Sequence, residues 1–295
     1  MSKHSFFACC FTIVGVIGLI GCKEVATAID FTSKTEQGDT TYVSTSVPAA
    51  QPKAVYLEEF TGVQCVNCAE GHTIIANLLG QYGERFVAVG VHSGDFSDPY
   101  SASSAHPSHF DFRTVAGDNI NANLYNGIAG QPTAGIDRRK FATQTRREAQ
   151  RAQWAGLVAY QLRQTNPCNL VLESKFDATA NKIKVRATVT YTQDVTISSK
   201  ISLMLTESGM HDAQLLPNGT VDGDYVHRHV LRTMLTPYDG LALSAITQRG
   251  RVFVRNFEVT PVAEWRLDSC EIVGFVHEAS DSIRVLQAAK VKLKN

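Results

Sequence analysis

The chain has 295 residues, with 28 basic and 28 acidic side chains; 44% of its residues are hydrophobic and 19% are charged. A net charge of zero gives no basic surface for DNA or RNA, so nucleic acid is excluded as the main partner. The composition is too apolar for wholesale disorder. A length near 300 residues favours two domains over one.

The first 21 residues have the pattern of a lipoprotein signal peptide. Residues 6–20 form an uncharged apolar run, which is shorter than the roughly 20 residues that a membrane-spanning helix needs. The run ends in LIGC at residues 19–22, which resembles the lipobox of bacterial lipoproteins. This resemblance implies cleavage before Cys22 and acyl chains on that residue, which would anchor the protein in the outer membrane. An ordinary signal peptide followed by a chance cysteine and an uncleaved anchor are the alternatives.

Residues 22–53 comprise the lipidated cysteine and a segment rich in Ser and Thr with few large apolar side chains. This composition is typical of a flexible tether between a lipid anchor and a folded domain. A short edge strand at Thr41 to Val47 is the less favoured alternative for that part of the tether.

A Cys-x-x-Cys motif follows the first predicted strand. Residues 54–60 are strand-like, Cys65 and Cys68 come next, residues 69–82 have helical spacing, and residues 85–91 are again strand-like. In this context the motif indicates a redox pair. Unpaired N–H groups and the helix dipole favour a thiolate at a helix start. The sequence therefore predicts Cys65 as an exposed nucleophile with a lowered pKa and Cys68 as the resolving thiol. An inert disulfide and half of a zinc site are the alternatives.

The strand, motif and helix resemble the thioredoxin-like superfamily. The resemblance implies that Glu59, six positions before the first cysteine, accepts the proton of Cys68. It also implies a cis peptide bond between Gln131 and Pro132, where a substrate strand would dock. The family usually has Trp before the first cysteine and Gly-Pro between the two, whereas Gln64 and Val-Asn stand here. This departure leaves the direction of electron transfer open.

An insertion at residues 93–123 is loop-like in its first half and is predicted to cover one edge of the cysteine pair. His106, His109 and Asp111 lie within it in a weak metal-ligand pattern. Solvated loop histidines are the favoured interpretation, so the sequence predicts no metal and no cofactor.

The two halves of the mature chain differ in their hydrophobic period. Residues 143–164 predict a helix that closes a thioredoxin-like domain over residues 54–165. From residue 166 to 295 the period becomes two, as in Ile183 to Tyr191, which predicts an antiparallel Ig-like β-sandwich. The predicted fold class is thus an α/β thioredoxin-like domain followed by that sandwich. Its strands are expected at residues 168–176, 183–191, 200–206, 226–235, 251–259, 271–276 and 284–293.

Cys168 and Cys270 lie near the boundaries of two of these strands. A disulfide between them would close a loop of about 100 residues and contribute on the order of 4–5 kcal/mol. The alternatives are two separate buried thiols, or a role for one of them in serving Cys65. His227 and His229 are spaced to face the same side of one strand, but without a third ligand they give only a weak metal pattern.

Several short segments together resemble the outer membrane protein 28-type lipoproteins of Gram-negative bacteria. They are residues 57–62 leading into the cysteine pair, 111–117, 130–138, 225–232 and 285–289. The resemblance implies an outer-membrane lipoprotein with a thioredoxin-like domain.

Two functions are compatible with this sequence. The first is thiol–disulfide exchange in the cell envelope, with another thiol or disulfide protein as the partner. The second is a non-catalytic surface protein that binds an extracellular ligand and in which the cysteine pair is a structural disulfide. Whether the protein faces the periplasm or the outside is left open.

Overall fold

A computed structural model describes residues 39–244 and 247–293. The predicted signal peptide, Cys22 and the tether up to residue 38 lie outside the described residues. Every described residue belongs to one compact unit, Ser33–Asn295. Within the described ranges, no helix is both long enough and apolar enough to cross a membrane.

The described part of the chain is built mainly from strands. In chain order they are β1 Thr40–Val43, β2 Val55–Thr61, β3 Phe86–His92, β4 Thr133–Ile136, β5 Glu148–Gln150, β6 Cys168–Asp177, β7 Lys182–Tyr191, β8 Ser199–Glu207, β9 Met210–Leu215, β10 Val221–His227, β11 Val230–Met234, β12 Leu241–Ser244, β13 Arg251–Val259, β14 Cys270–Glu278 and β15 Val285–Lys292. The α-helices in the same ranges are α1 Cys68–Tyr82, α2 Val115–Asn119 and α3 Trp154–Gln161.

The described strands form sheets of four, two and nine strands. The four-stranded sheet has the order β1-β13-β7-β6, and β9 pairs with β10. The nine-stranded sheet has the order β15-β14-β8-β11-β3-β2-β4-β5, with β12 also paired to β8. Strand β3 is parallel to both of its neighbours, β2 and β11, and the other strand pairs are antiparallel.

The predicted fold class, a thioredoxin-like α/β domain followed by a β-sandwich, was wrong. The protein is mostly β-sheet, and no clear α/β domain of that type is formed. Strands from both halves of the sequence share the nine-stranded sheet, since Val230 of β11 is paired with Gly90 of β3. The amide of Gly90 donates to the carbonyl of His229 at 2.8 Å. This pairing satisfies backbone groups that β3 would otherwise leave open at a sheet edge. The domain boundary at residues 165 and 166 stays a prediction.

The helix predicted at residues 143–164 is shorter than expected. Residues 148–150 form β5 along the edge of β4, and α3 begins only at Trp154. Trp154 is fully buried, and its indole N–H donates to the carbonyl of Ala149 at 2.9 Å. Docking of this large side chain therefore fixes the start of α3 after the strand.

The strand predicted at residues 226–235 is two strands. His229 has φ 55°, in the left-handed region, and the chain turns there between β10 and β11. His227 and His229 consequently lie on either side of the break and do not follow strand alternation. Strands β9 and β12 were not predicted, whereas the other strands expected after residue 166 are found within about two residues of their predicted ends.

Apolar side chains cover both faces of the nine-stranded sheet. Strand β7 buries alternate residues in a core that β8 and β14 share, as its period of two predicts. At the other end of the sheet, Val55 and Leu57 of β2 pack with Ile75 and Leu78 of α1. Tyr56 and Phe60 point to the opposite face and pack in a third cluster. Alternation along β2 therefore places Glu59 on the side of the sheet that α1 covers.

Candidate functional site

The Cys-x-x-Cys motif forms a disulfide between the end of β2 and the start of α1. Cys65 and Cys68 are bonded, with 5.4 Å between their Cα atoms, and α1 begins at Cys68. The amide of Cys65 donates to Gly62 O at 3.0 Å, which folds the loop into a turn. Cys65 has only 2% of its surface exposed and Cys68 has none. The expected exposure of Cys65 is therefore wrong for this oxidised state, while the assigned roles of both cysteines stay predictions.

A hairpin from the second half of the sequence covers the disulfide loop. We call residues 210–227, which comprise β9, a turn and β10, the cover hairpin. The side-chain amide of Gln214 donates to the carbonyls of Cys65 at 3.1 Å and Gly62 at 3.3 Å. The amide of Leu215 donates to the carbonyl of Val63 at 2.8 Å. Burial of Cys65 thus depends on a segment about 150 residues further along the chain.

The insertion at residues 93–123 contacts the same loop from another side. The Gln64 amide donates to the carbonyl of Phe96 at 3.0 Å, and the Gln64 side chain donates to that of Asp98 at 2.8 Å. A Cβ atom at Gly62 would overlap the Phe96 carbonyl, so the close approach requires glycine. The insertion lies beside the cysteine pair, where the sequence predicted it.

The backbone around the insertion histidines and the nearby Asp111 have structural partners. The amide of His109 donates to the carboxylate of Asp212 at 3.0 Å, and Asp111 forms an ion pair with Arg113. No group of three or more His, Cys, Asp or Glu side chains within residues 39–244 and 247–293 is arranged to hold a metal ion.

The peptide bond between Gln131 and Pro132 is cis. It immediately precedes β4, whose Thr133 is paired with Phe60 of β2. The side-chain amide of Gln131 donates to the carbonyl of Thr61 at 2.6 Å and to that of Ser93 at 3.1 Å. Gln131 thereby ties the end of β2 to the insertion. A substrate-docking role for Gln131 and Pro132 stays a prediction.

Glu59 lies beneath α1 and is 2% exposed. In the described part of the chain its Oε1 atom has no hydrogen-bond partner. A Cβ atom at Gly71 would lie 2.6 Å from Oε1, so α1 packs directly on the carboxyl group. Gly71 and Cys68 are three residues apart and share one face of the helix. Burial raises the pKa of Glu59 well above its usual value, which favours the protonated form.

His72 connects α1 to β2 and to the cover hairpin. Its Nε2 atom is 2.9 Å from Thr61 Oγ1 and 3.7 Å from Glu59 Oε2, and its Nδ1 atom is 2.8 Å from Tyr225 Oη. Burial, with a smaller effect from His227 and His229, lowers the pKa of His72 to about 3. Sequence reasoning missed His72, although its position one turn after Cys68 was a usable signal.

A cavity of about 330 Å³ lies between α1, β3 and β10. Its polar lining residues are Glu59, His72, Thr73, Tyr225, Arg228 and His229, and apolar side chains of α1 and β3 form the rest of the wall. A cavity of this size with polar groups on its wall is large enough for several water molecules. The arrangement therefore gives the Glu59 carboxyl group a route for exchanging its proton with solvent.

The disulfide predicted between Cys168 and Cys270 is not formed. Both residues are free, buried thiols of the same hydrophobic core. Burial raises the pKa of each thiol to about 12. Both cysteines therefore serve as small apolar side chains in this core.

Comparison with known families identifies the class of protein. The model of the family described as "Outer membrane protein Omp28" matches residues 108–295. The chain belongs to this family, and its location is the outer membrane. It is a lipoprotein of the cell envelope. No curated protein matches the sequence.

The solved structures that match this chain include three from two bacteria. HBP35 of Porphyromonas gingivalis superposes with a TM-score of 0.60 at 18% identity, over 83% of this chain and 77% of that one. A protein of Agrobacterium tumefaciens gives a TM-score of 0.49 at 11% identity, over 84% and 97% of the two chains. A domain of the outer membrane lipoprotein Omp28 from P. gingivalis gives 0.30 at 17% identity, over 44% and 89%. At these identities only the likeness to HBP35 carries information, and it concerns the fold alone.

Proposed function

We propose that this envelope lipoprotein exchanges thiols and disulfides at Cys65 and Cys68. The observation that carries the proposal is the Glu59 carboxyl group, which is buried under the first turns of α1 with one oxygen unpartnered among the described residues. Burying a carboxyl group beneath a helix costs free energy. A purely structural disulfide does not need a buried carboxyl group beside it, whereas a thiol that must gain and lose a proton does.

The reaction starts from the oxidised pair in the structure. A thiolate of a dithiol partner attacks Cys65 Sγ, which breaks the Cys65–Cys68 bond and forms a mixed disulfide. The released Cys68 thiolate takes a proton from Glu59. The partner's second thiolate then attacks the mixed disulfide and releases Cys65. The partner is oxidised by two electrons, the cysteine pair is reduced by two, and the partner's two thiol protons end on Cys65 and Cys68 after Glu59 is reprotonated from solvent.

The test is oxidation of a reduced peptide that carries two cysteines, followed by mass spectrometry with the purified full chain. We expect the wild type to oxidise the peptide, and the variant with Cys65→Ser and Cys68→Ser to be inactive. Glu59→Gln should slow the reaction by roughly 10²-fold, a typical effect of removing a positioned acid or base. Glu173→Gln, at an exposed carboxylate on β6, is the matched control. Absence of peptide oxidation by the wild type would refute the proposal.

A second function is favoured by a different observation, the burial of both cysteines. In this alternative the protein is a non-catalytic binding lipoprotein for an extracellular ligand, and the disulfide holds the loop beneath the cover hairpin. Binding to surfaces or host ligands should then survive the double serine substitution, whereas thiol–disulfide exchange cannot.

The lipid anchor at Cys22 is also part of the proposal, together with cleavage of residues 1–21 and a tether up to residue 53. Cys22→Ala should move the protein from the membrane fraction to the soluble fraction. Mass spectrometry of the N-terminal peptide would identify the acyl chains directly.

A further inference from the structure

We infer that the cover hairpin occupies the binding place of a partner polypeptide, and that this partner is an extended segment carrying a cysteine. The inference rests on the proposed exchange reaction, and it identifies the substrate class and the means by which the site is closed.

Three backbone carbonyls of the disulfide loop are hydrogen-bond acceptors of the kind that an extended polypeptide would use. The carbonyls of Gly62 and Cys65 accept from the side-chain amide of Gln214 in β9, and the carbonyl of Val63 accepts from the backbone amide of the next residue, Leu215. Strand β9 thus has β10 on one side and the disulfide loop on the other. Backbone acceptors next to a reactive residue are what an extended peptide uses in strand addition. The cover hairpin therefore supplies donors that a partner segment could replace.

The strand pairing of the cover hairpin allows it to separate from the disulfide loop. Its two strands pair only with each other in the part of the chain that the structure describes, and they join neither of the larger sheets. A two-stranded hairpin is marginally stable by itself. Displacing it therefore leaves the ladders of the nine-stranded sheet intact.

Besides those of Gln214 and Leu215, polar contacts of Tyr225 and Asp212 hold the cover hairpin closed. Tyr225 Oη is 2.8 Å from His72 Nδ1, and the Asp212 carboxylate accepts from the backbone amides of His109 at 3.0 Å and Phe110 at 2.8 Å. The Gln214 Oε1 atom has no partner among the described residues, so even this contact is incompletely satisfied. A partner segment that supplies better hydrogen-bond donors can displace these contacts.

The chemistry of the closed site selects the class of partner. A small thiol offers no run of N–H groups and cannot replace the donors of Gln214 and Leu215. An unfolded or extended protein segment offers them along its whole backbone, and its own cysteine then reaches Cys65. The closed site therefore disfavours small thiols and admits polypeptides.

The experiment measures how fast the Cys65–Cys68 disulfide of the full chain is reduced by dithiothreitol. Gln214→Ala removes two of the three bonds from β9 to the loop, and we expect reduction about tenfold faster than in the wild type. Gln193→Ala is the matched control, because its side chain also donates to a carbonyl, that of Asn166, away from the site. Equal rates for wild type and Gln214→Ala would overturn the inference.

Misfolding of the variant is detected in the same samples. Cys168 and Cys270 are buried in the native protein, so their alkylation reports unfolding. If Cys168 or Cys270 is alkylated in the Gln214→Ala variant, the reduction rate is measured in Tyr225→Phe instead. This change removes only the hydroxyl that contacts His72. An increase of about threefold supports the inference, and an unchanged rate overturns it.

A second experiment tests the class of partner. It also distinguishes failure of this inference from failure of the proposed function. In Cys68→Ala, a mixed disulfide of Cys65 with an extended cysteine peptide should raise hydrogen exchange across residues 210–227, whereas one with glutathione should raise it less. Equal exchange with both adducts contradicts a polypeptide partner. If Gln214→Ala accelerates reduction but neither protein oxidises a dithiol peptide, the exchange function fails although the cover is real.

Discussion

Arg138 forms two hydrogen bonds with the carboxylate of Glu58, 3.0 Å from Nε and 2.7 Å from Nη2, and neither side chain has any exposed surface. The guanidinium group also lies 4.8 Å from the ring centroid of Phe275. Glu58 belongs to β2 and Phe275 to β14. One buried cation therefore contacts strands from the two halves of the sequence within a single sheet.

Arg138→Met should destabilise the protein by about 3–5 kcal/mol, because it leaves Glu58 buried without its partner. Urea unfolding of the full chain measures the change. Arg113→Met is the control: its partners Asp98 and Asp111 are largely exposed, and such pairs are worth about 0–1 kcal/mol. A similar loss of unfolding free energy in both variants would show that burial does not increase the cost of removing the arginine.

Acidification should loosen the region around the cover hairpin. Burial lowers the pKa of His72 to about 3 and the pKa values of His227 and His229 to about 4 each. The unfolded chain binds these protons near pH 6.5, so stability is fully present above that pH and falls as the pH drops towards about 4.

Unfolding free energies at pH about 7.5 and about 5 measure this loss, to which each histidine should contribute about 2 kcal/mol. His72→Phe should reduce the loss. His211→Phe changes an exposed histidine on the same hairpin and should leave the loss unaltered. If the wild type and His72→Phe lose the same unfolding free energy between the two pH values, His72 keeps its ordinary pKa.

Glu59→Gln should become increasingly stabilising as the pH rises. Burial raises the pKa of Glu59, so its stability contribution is present below about pH 4.5 and is lost as the pH approaches the folded-state pKa. Glutamine cannot ionise and avoids that loss. Unfolding at pH about 5 and about 9 measures the difference from the wild type. Glu173→Gln should show no such trend, since that side chain is exposed.

Cys168 and Cys270 should resist alkylation in the native protein and react fully after unfolding without a reductant. Both thiols are buried, and their pKa values are raised to about 12, so the reactive thiolate is scarce at neutral pH. Mass spectrometry after iodoacetamide treatment counts the labels. Failure to label the unfolded, unreduced chain would show that the two cysteines form a disulfide after all.

The sequence predicts best where local pattern and burial agree. Strand β7 alternates between buried and partly exposed side chains, and β13 and β6 pair along it with long, regular registers. The disulfide was an alternative interpretation of the motif, and the cis bond before Pro132 was expected. Both features belong to short segments whose chemistry is visible in a few consecutive residues.

The burial of Cys65 and the pairing of β11 with β3 could not be predicted in this way. Cys65 is covered by Gln214, and nothing near either residue in sequence indicates the other. Strand β9 has the sequence MHDAQL, which lacks a clear hydrophobic period. A helix was predicted over Glu148 because its local propensity is helical, but the free edge of β4 pairs with it instead. Long-range backbone pairing decided each of these outcomes.

The contact between Gly90 and Val230 also bears on how the cysteine chemistry can be studied. A fragment ending at residue 165 would keep the disulfide, α1 and the cis bond, yet it would lose both the cover hairpin and the neighbour that shields β3. Its bare strand would invite self-association, and its uncovered sulfur would react indiscriminately. Any selectivity among thiols would then have to be sought in the intact polypeptide.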